Sequence, residues 1–258
     1  MAVIKTTSTS AGSATADSAR MNRTAQLVMT WTGFLMLGMI LVGMLLGRYL
    51  FPWTSPHDSA EKVSQVYQMH GDRIRWSIVF ILCGFGLIQV WGACMAAQTR
   101  RKEGFFPVLT YVQIASMAVG AALLMAQSCL WATAAFRPGS TSPQITQALN
   151  DAGYITLLST WMPFAAWAWA LGMAILLDRS DNPIYPRWAG WLSIWAGLAD
   201  IPGNTVWFFK SGAFGWQGAV CLYVPIGGFG IWVTVFTLLT LQNIRGGLVH
   251  QQDLATAA

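Results

Sequence analysis

Apolar residues in this chain come in six runs of about 22 to 32 residues, and charge is almost wholly confined to the short stretches between them. About 20 consecutive apolar residues in a helix cross the hydrocarbon core of a bilayer, so each run is long enough to span one. A soluble domain needs charge on roughly a quarter of its residues to cover its surface. Here charged residues make up 10% and hydrophobic residues 55%. The pattern excludes a soluble fold and predicts an all-α, polytopic membrane bundle of six transmembrane helices.

The predicted spans cover residues 27–51, 74–97, 105–136, 154–177, 188–209 and 216–241 within a transmembrane domain of 24–244. Residues 1–23 are rich in Ser, Thr and Ala, lack periodicity, and read as a disordered cytoplasmic tail. Residues 245–258 read as a second cytoplasmic tail. The first run is too long for a signal-peptide core and no small-residue cleavage pattern follows it, so it reads as a retained helix. Placing both termini inside puts nine Lys and Arg on the inner side and six on the outer. The loop holding Arg100, Arg101 and Lys102 supplies the strongest signal, because basic clusters in short loops stay cytoplasmic. The net charge of +5 is thus a topology signal, and nucleic acid is excluded as a partner.

Two outer loops carry helix-start signals. Ser55-Pro56-His57-Asp58 reads as a cap, a first-turn proline and an early acid, followed by Val63, Val66, Tyr67 and His70 at helical spacing. Ser142-Pro143, with Ile145 and Leu149 on one face, repeats the device. Each predicts a short amphipathic helix in its loop.

Asp200 is the acid that does not fit this account. It lies thirteen residues beyond Arg187, roughly 20 Å along a helix and so at hydrocarbon depth. An ionised carboxylate there costs several kcal/mol unless paired or hydrated, which marks it as a functional-site candidate. Pro202 leaves the carbonyl of Leu198 without its usual donor, and Asn204 falls four residues on, on the same face of a continued helix. Gln89, Gln113, Gln127 and Tyr223 are the other intramembrane polar groups that could join a ligand site or satisfy the acid. Pro163, Pro202 and Pro225 predict kinks in the last three spans. Gly43 and Gly47 form a GxxxG pair. Most of the 14 tryptophans fall near span ends, as in an aromatic belt. The four cysteines lie in apolar stretches and form no CxxC pair, so they read as packing residues.

Dedicated metal and cofactor sites find no support. His57, His70 and Asp72 offer two imidazoles and a carboxylate, but their spacing matches no metal motif. Nucleotide-binding and hydrolase motifs are absent from the sequence. No cofactor is expected.

The strings RIRW at 73–76, WATAAFRP at 131–138, TQALND at 146–151, PRWAG at 186–190 and FFKSGAFGWQG at 208–218 resemble a loosely defined family of uncharacterised bacterial membrane proteins, best represented in actinobacteria. The resemblance implies a multi-pass protein of the bacterial cytoplasmic membrane and assigns no activity. Three functions remain open. The chain could bind or pass a small lipophilic molecule through a cavity beside Asp200. It could be a non-catalytic subunit of a larger complex or a homo-oligomer, marked by an exposed face of Gly33, Gly43 and Gly47. It could be an enzyme on a lipid or isoprenoid, which needs a second catalytic group beside Asp200.

Overall fold

The computed structural model describes the backbone of residues 8–256 and the side chains of residues 21–246. The described residues form helices and connecting segments, with no strand among them. In chain order the α-helices are α1 (Ser8–Leu46), α2 (Ala60–Arg100), α3 (Val108–Phe136), α4 (Pro143–Ser159), α5 (Met162–Leu177), α6 (Arg187–Asp200) and α7 (Val224–Thr256). A 3-10 segment, Ile201–Phe208, continues α6, and a π-helical turn, Ala219–Tyr223, leads into α7. Among the described residues five helical stretches are long and apolar enough to cross a membrane: Met21–Leu46, Ala60–Arg100, Val108–Phe136, Pro143–Leu177 and Ala219–Gly246. The protein is therefore a membrane helical bundle. The expected span over 188–209 is not a single helix but α6 plus the 3-10 segment.

Hydrogen bonds between connecting segments fix the two ends of the bundle. At one end Gln98 Nε2 and Arg101 Nη2 donate to Gln26 Oε1, Lys102 Nζ to Ser180 Oγ, and Asn243 Nδ2 to the Ile184 carbonyl. At the other, Gln147 Nε2 donates to the Asp58 carbonyl, Gln217 Nε2 to that of Thr54, and the Tyr223 hydroxyl to that of Leu50. Residues 178–186 sit at the first end and 209–218 at the second, so α6 and the 3-10 segment together traverse the bundle. We refer to these as the Gln26 end and the Leu50 end.

Several boundaries depart from the sequence expectation. The amphipathic helices expected in two loops are the first turns of α2 and α4. Nothing between Ala60 and the apolar run stops a helix, since Glu61, Lys62 and the glutamines are good helix formers, so α2 continues for 41 residues. Its cap is Ser59, whose side chain accepts from Lys62 N, rather than Ser55. The Ser142 cap forms as expected, accepting from Ile145 N with Pro143 in the first turn. Helix α1 begins at Ser8, inside the tail expected to lack order; residues 1–7 and 257–258 lie outside the described residues. The three prolines stand at the first turn of new segments, not in the middle of kinked helices. Pro163 opens α5, Pro202 opens the 3-10 segment and Pro225 follows the π turn. A proline has no N–H to lose there.

Tryptophan fills the centre. Trp91, Trp167 and Trp232 meet edge to face with ring centroids 5.0 to 5.6 Å apart. Trp91 Nε1 donates to Thr237 Oγ1 at 2.9 Å and Trp232 Nε1 to Ser193 Oγ at 2.8 Å. Trp131, Trp161 and Trp216 are buried too, whereas Trp188, Trp191 and Trp195 are exposed. The buried tryptophans depart from the belt expectation, because a long antiparallel bundle needs large side chains to fill its axis. The cysteines divide as well: Cys94 and Cys221 are buried, Cys83 and Cys129 exposed. The glycine face of α1 is internal. A Cβ at Gly33 would meet Thr237 and Trp91, at Gly43 Ile81, and at Gly47 Tyr49 and Ser77. That face is closed by α2, by α7 at Gly33 and by the turn that follows α1, so it offers no surface to another subunit.

At the Gln26 end, Tyr185 is buried in the segment between α5 and α6, its hydroxyl 2.7 Å from Thr240 Oγ1. Burial pushes its phenol well above the ordinary range, against a smaller opposing effect of the Thr240 hydrogen bond. This contact fastens residues 178–186 to α7.

Candidate functional site: a carboxyl at a helix break

Three interruptions of helical regularity come together around Asp200. Helix α6 ends on this residue and tightens into the 3-10 segment, where Ile201 N donates to the Leu198 carbonyl. The carbonyl expected to be freed by Pro202 is thereby satisfied. The α4–α5 break packs against the same segment: a Cβ at Gly203 would run into the Leu158 carbonyl oxygen and touch Trp161. The π turn closes the third side, with Cys221 Sγ 3.4 Å from the Pro202 carbonyl oxygen. Short 3-10 and π stretches are mechanically weaker than α-helix because their hydrogen bonds are poorer.

The Asp200 side chain points into a crevice between α5, α6 and α7. It is lined by Phe164, Ala168, Ala196, Phe229 and Trp232. Asp200 is 5% exposed, and its carboxyl makes no hydrogen bond or ion pair among the described residues. The free space beside it is about 10 Å³, close to the room one water needs. Phe164 and Phe229 meet edge to face at 5.6 Å, and Trp161 completes the aromatic wall against both. The Trp161 indole N–H is buried without an acceptor. A lone carboxyl faced by aromatic rings can hold a proton or a positive group, since ring faces attract cations.

The other predicted site residues do not gather here. Asn204 donates from Nδ2 to the Ile201 carbonyl at 3.0 Å, within its own turn. The 3-10 segment has three residues per turn, so the four-residue spacing that would stack Asn204 on Asp200 in an α-helix fails. Gln89 is exposed on the outer face of α2. Gln113 is buried near the Gln26 end, donating to Thr99 Oγ1 at 3.0 Å with its Oε1 unpartnered. Gln127 is buried fourteen residues further along α3, roughly 21 Å away, with its Nε2 unpartnered. Tyr223 is at the Leu50 end, its hydroxyl donating to the Leu50 carbonyl at 2.7 Å.

The metal candidates also disperse. Among the described residues no three His, Cys, Asp or Glu side chains stand close enough to share a metal ion. His70 stacks on Trp53 with centroids 4.1 Å apart, and Asp72 pairs with Arg75. His57 is exposed in the preceding turn.

Phe164, Phe229 and Trp232 were not legible as site residues. The available signal was the first-turn position of Pro163 and Pro225, which brings each helix start within a turn or two of the carboxyl. No protein-family model, curated protein or solved structure matches the chain.

Proposed function

We propose that this chain is an integral membrane protein that binds or passes a small lipophilic cation at Asp200, in exchange for a proton. The observation that carries the proposal is the unpartnered carboxyl walled by Phe164, Phe229 and Trp232 at the meeting of three broken helices. An ionised carboxylate without a partner at this depth costs several kcal/mol. Its charge must be cancelled by a proton or by a bound positive group. The water-sized cavity fits the protonated, closed condition. Admission of a larger cation requires the α4–α5 break, the 3-10 segment and the π turn to shift, and discontinuous helices are the usual moving parts of membrane carriers.

The proposal sets six crossings in a bacterial cytoplasmic membrane, with α6 and the 3-10 segment as the fifth and both termini inside. The Arg100-Arg101-Lys102 cluster supports the orientation, and the resemblance of the junction strings supports the bacterial setting. An enzymatic role has less behind it, because among the described residues no second acid, base or nucleophile lines the crevice that holds Asp200. A subunit role loses its predicted glycine face to intramolecular packing.

Equilibrium binding of tetraphenylphosphonium to the detergent-solubilised protein tests the reading. Wild type is expected to bind it, and Asp200→Asn to bind it at least tenfold more weakly. Equal binding by both proteins contradicts the proposal.

A further inference from the structure

At the Leu50 end, the termination of α1 breaks a local rule. The Arg48 N–H donates to the Leu45 carbonyl at 3.2 Å, and the Tyr49 N–H reaches back to that of Met44 at 2.9 Å. Together these are the paired bonds of a Schellman turn, whose αL position is ordinarily glycine. Arg48 occupies it, at φ 54°. A left-handed conformation costs an L-residue roughly 1–2 kcal/mol. A glycine one position earlier is held there for another reason, since a Cβ at Gly47 would strike Tyr49 and Ser77. Folding alone therefore does not account for arginine at 48, and strained positions of this kind concentrate at functional sites.

The strain delivers a guanidinium to a particular place. Arg48 lies 5.8 Å from the centroid of the Trp53 ring, and Arg73 lies 5.5 Å from the same ring. His70 stacks on that ring. Among the described residues the only ion pairs are Lys62–Asp58 and Arg75–Asp72, so neither Arg48 nor Arg73 has a carboxylate. The one acid nearby, Asp72, is taken by Arg75. A cleft of about 240 Å³ opens beside Arg73 and His70, with Gln68, Arg75, Pro138 and the Arg75-paired carboxylate of Asp72 on its walls. Two uncompensated guanidiniums over one indole repel each other unless an anion sits between or beside them.

The depth of the cluster selects the anion. Arg48 follows the last apolar turn of α1 directly, and the Arg73 guanidinium returns to the Leu46 carbonyl at 2.7 Å. Leu45, Phe51 and Trp76 are exposed at this level, where acyl chains meet headgroups. Guanidinium forks match phosphate oxygens, and a lipid phosphate arrives with chains that cover those apolar side chains. We propose that Arg48, Arg73 and Trp53 form a headgroup site for an anionic phospholipid at the Leu50 end of the bundle.

Native mass spectrometry of the full chain in detergent tests this, with phosphatidylglycerol, phosphatidylcholine and inorganic phosphate as separate probes. Wild type is expected to retain phosphatidylglycerol at least fivefold over phosphatidylcholine. Arg48→Gln and Arg73→Gln are each expected to abolish that preference. Arg48→Gly separates binding from folding: it relieves the left-handed strain, so its unfolding midpoint is expected to stay or rise while retention falls. Equal retention of the two lipids by wild type, or full retention by Arg48→Gly, overturns the proposal. Saturation by inorganic phosphate that displaces phosphatidylglycerol at equal concentration overturns the lipid as occupant.

Discussion

Single residues carry this account where they violate an expectation of their surroundings. Asp200 was legible from sequence because it is an acid inside an apolar run, and among the described residues its buried carboxyl has no partner. Asn204 was misplaced because the α-helical spacing used to align it does not survive into the 3-10 segment. The aromatic wall was invisible, since nothing in a list of 13 Phe and 14 Trp says which of them face one carboxyl. Two outcomes follow at this scale. Asp200→Leu removes a buried polar group without a partner, so it is expected to stabilise the fold by about 1 kcal/mol while abolishing cation binding. Thermal unfolding in detergent measures the first effect. Gly203→Ala pushes a methyl group into the Leu158 carbonyl and is expected to cost about 1–3 kcal/mol as overpacking does, read as a lower unfolding midpoint.

At the scale of elements, starts were more legible than continuity. The Ser142 cap and Pro143 lie where the residues demand. Ser142→Ala is expected to cost about 1 kcal/mol, with faster amide exchange confined to the first turn of α4. Continuity escaped prediction because it depends on what is missing. No proline separates the amphipathic turns from the span behind them, so α2 runs through the polar stretch from His70 to Arg75 and on unbroken to Arg100. Proline, conversely, signalled a disturbance without saying whether the helix bends or restarts. Tertiary packing decides that: the Leu158 carbonyl lies against Gly203, where any Cβ would strike it. Pro202→Ala restores the N–H that a regular helix needs. It is expected to weaken cation binding without lowering the unfolding midpoint.

For the whole molecule, the distribution of charge foretold a membrane bundle, and the two sets of end-to-end hydrogen bonds show how its connections are gathered. The side of the membrane facing each set is an inference from Arg100, Arg101 and Lys102. Labelling with a membrane-impermeant thiol reagent checks it, using cysteine at Ser180 for the Gln26 end and at Ser211 for the Leu50 end. Ser211→Cys is expected to react in intact cells and Ser180→Cys only after lysis.

In the proposed function Asp200 exchanges a proton for a lipophilic cation. Its most direct measurement is proton release on tetraphenylphosphonium binding, obtained by calorimetry in two buffers of different ionisation enthalpy. About one proton is expected to be released per cation bound by wild type and none by Asp200→Asn. Cation binding by wild type without proton release, or release that persists in Asp200→Asn, would contradict it.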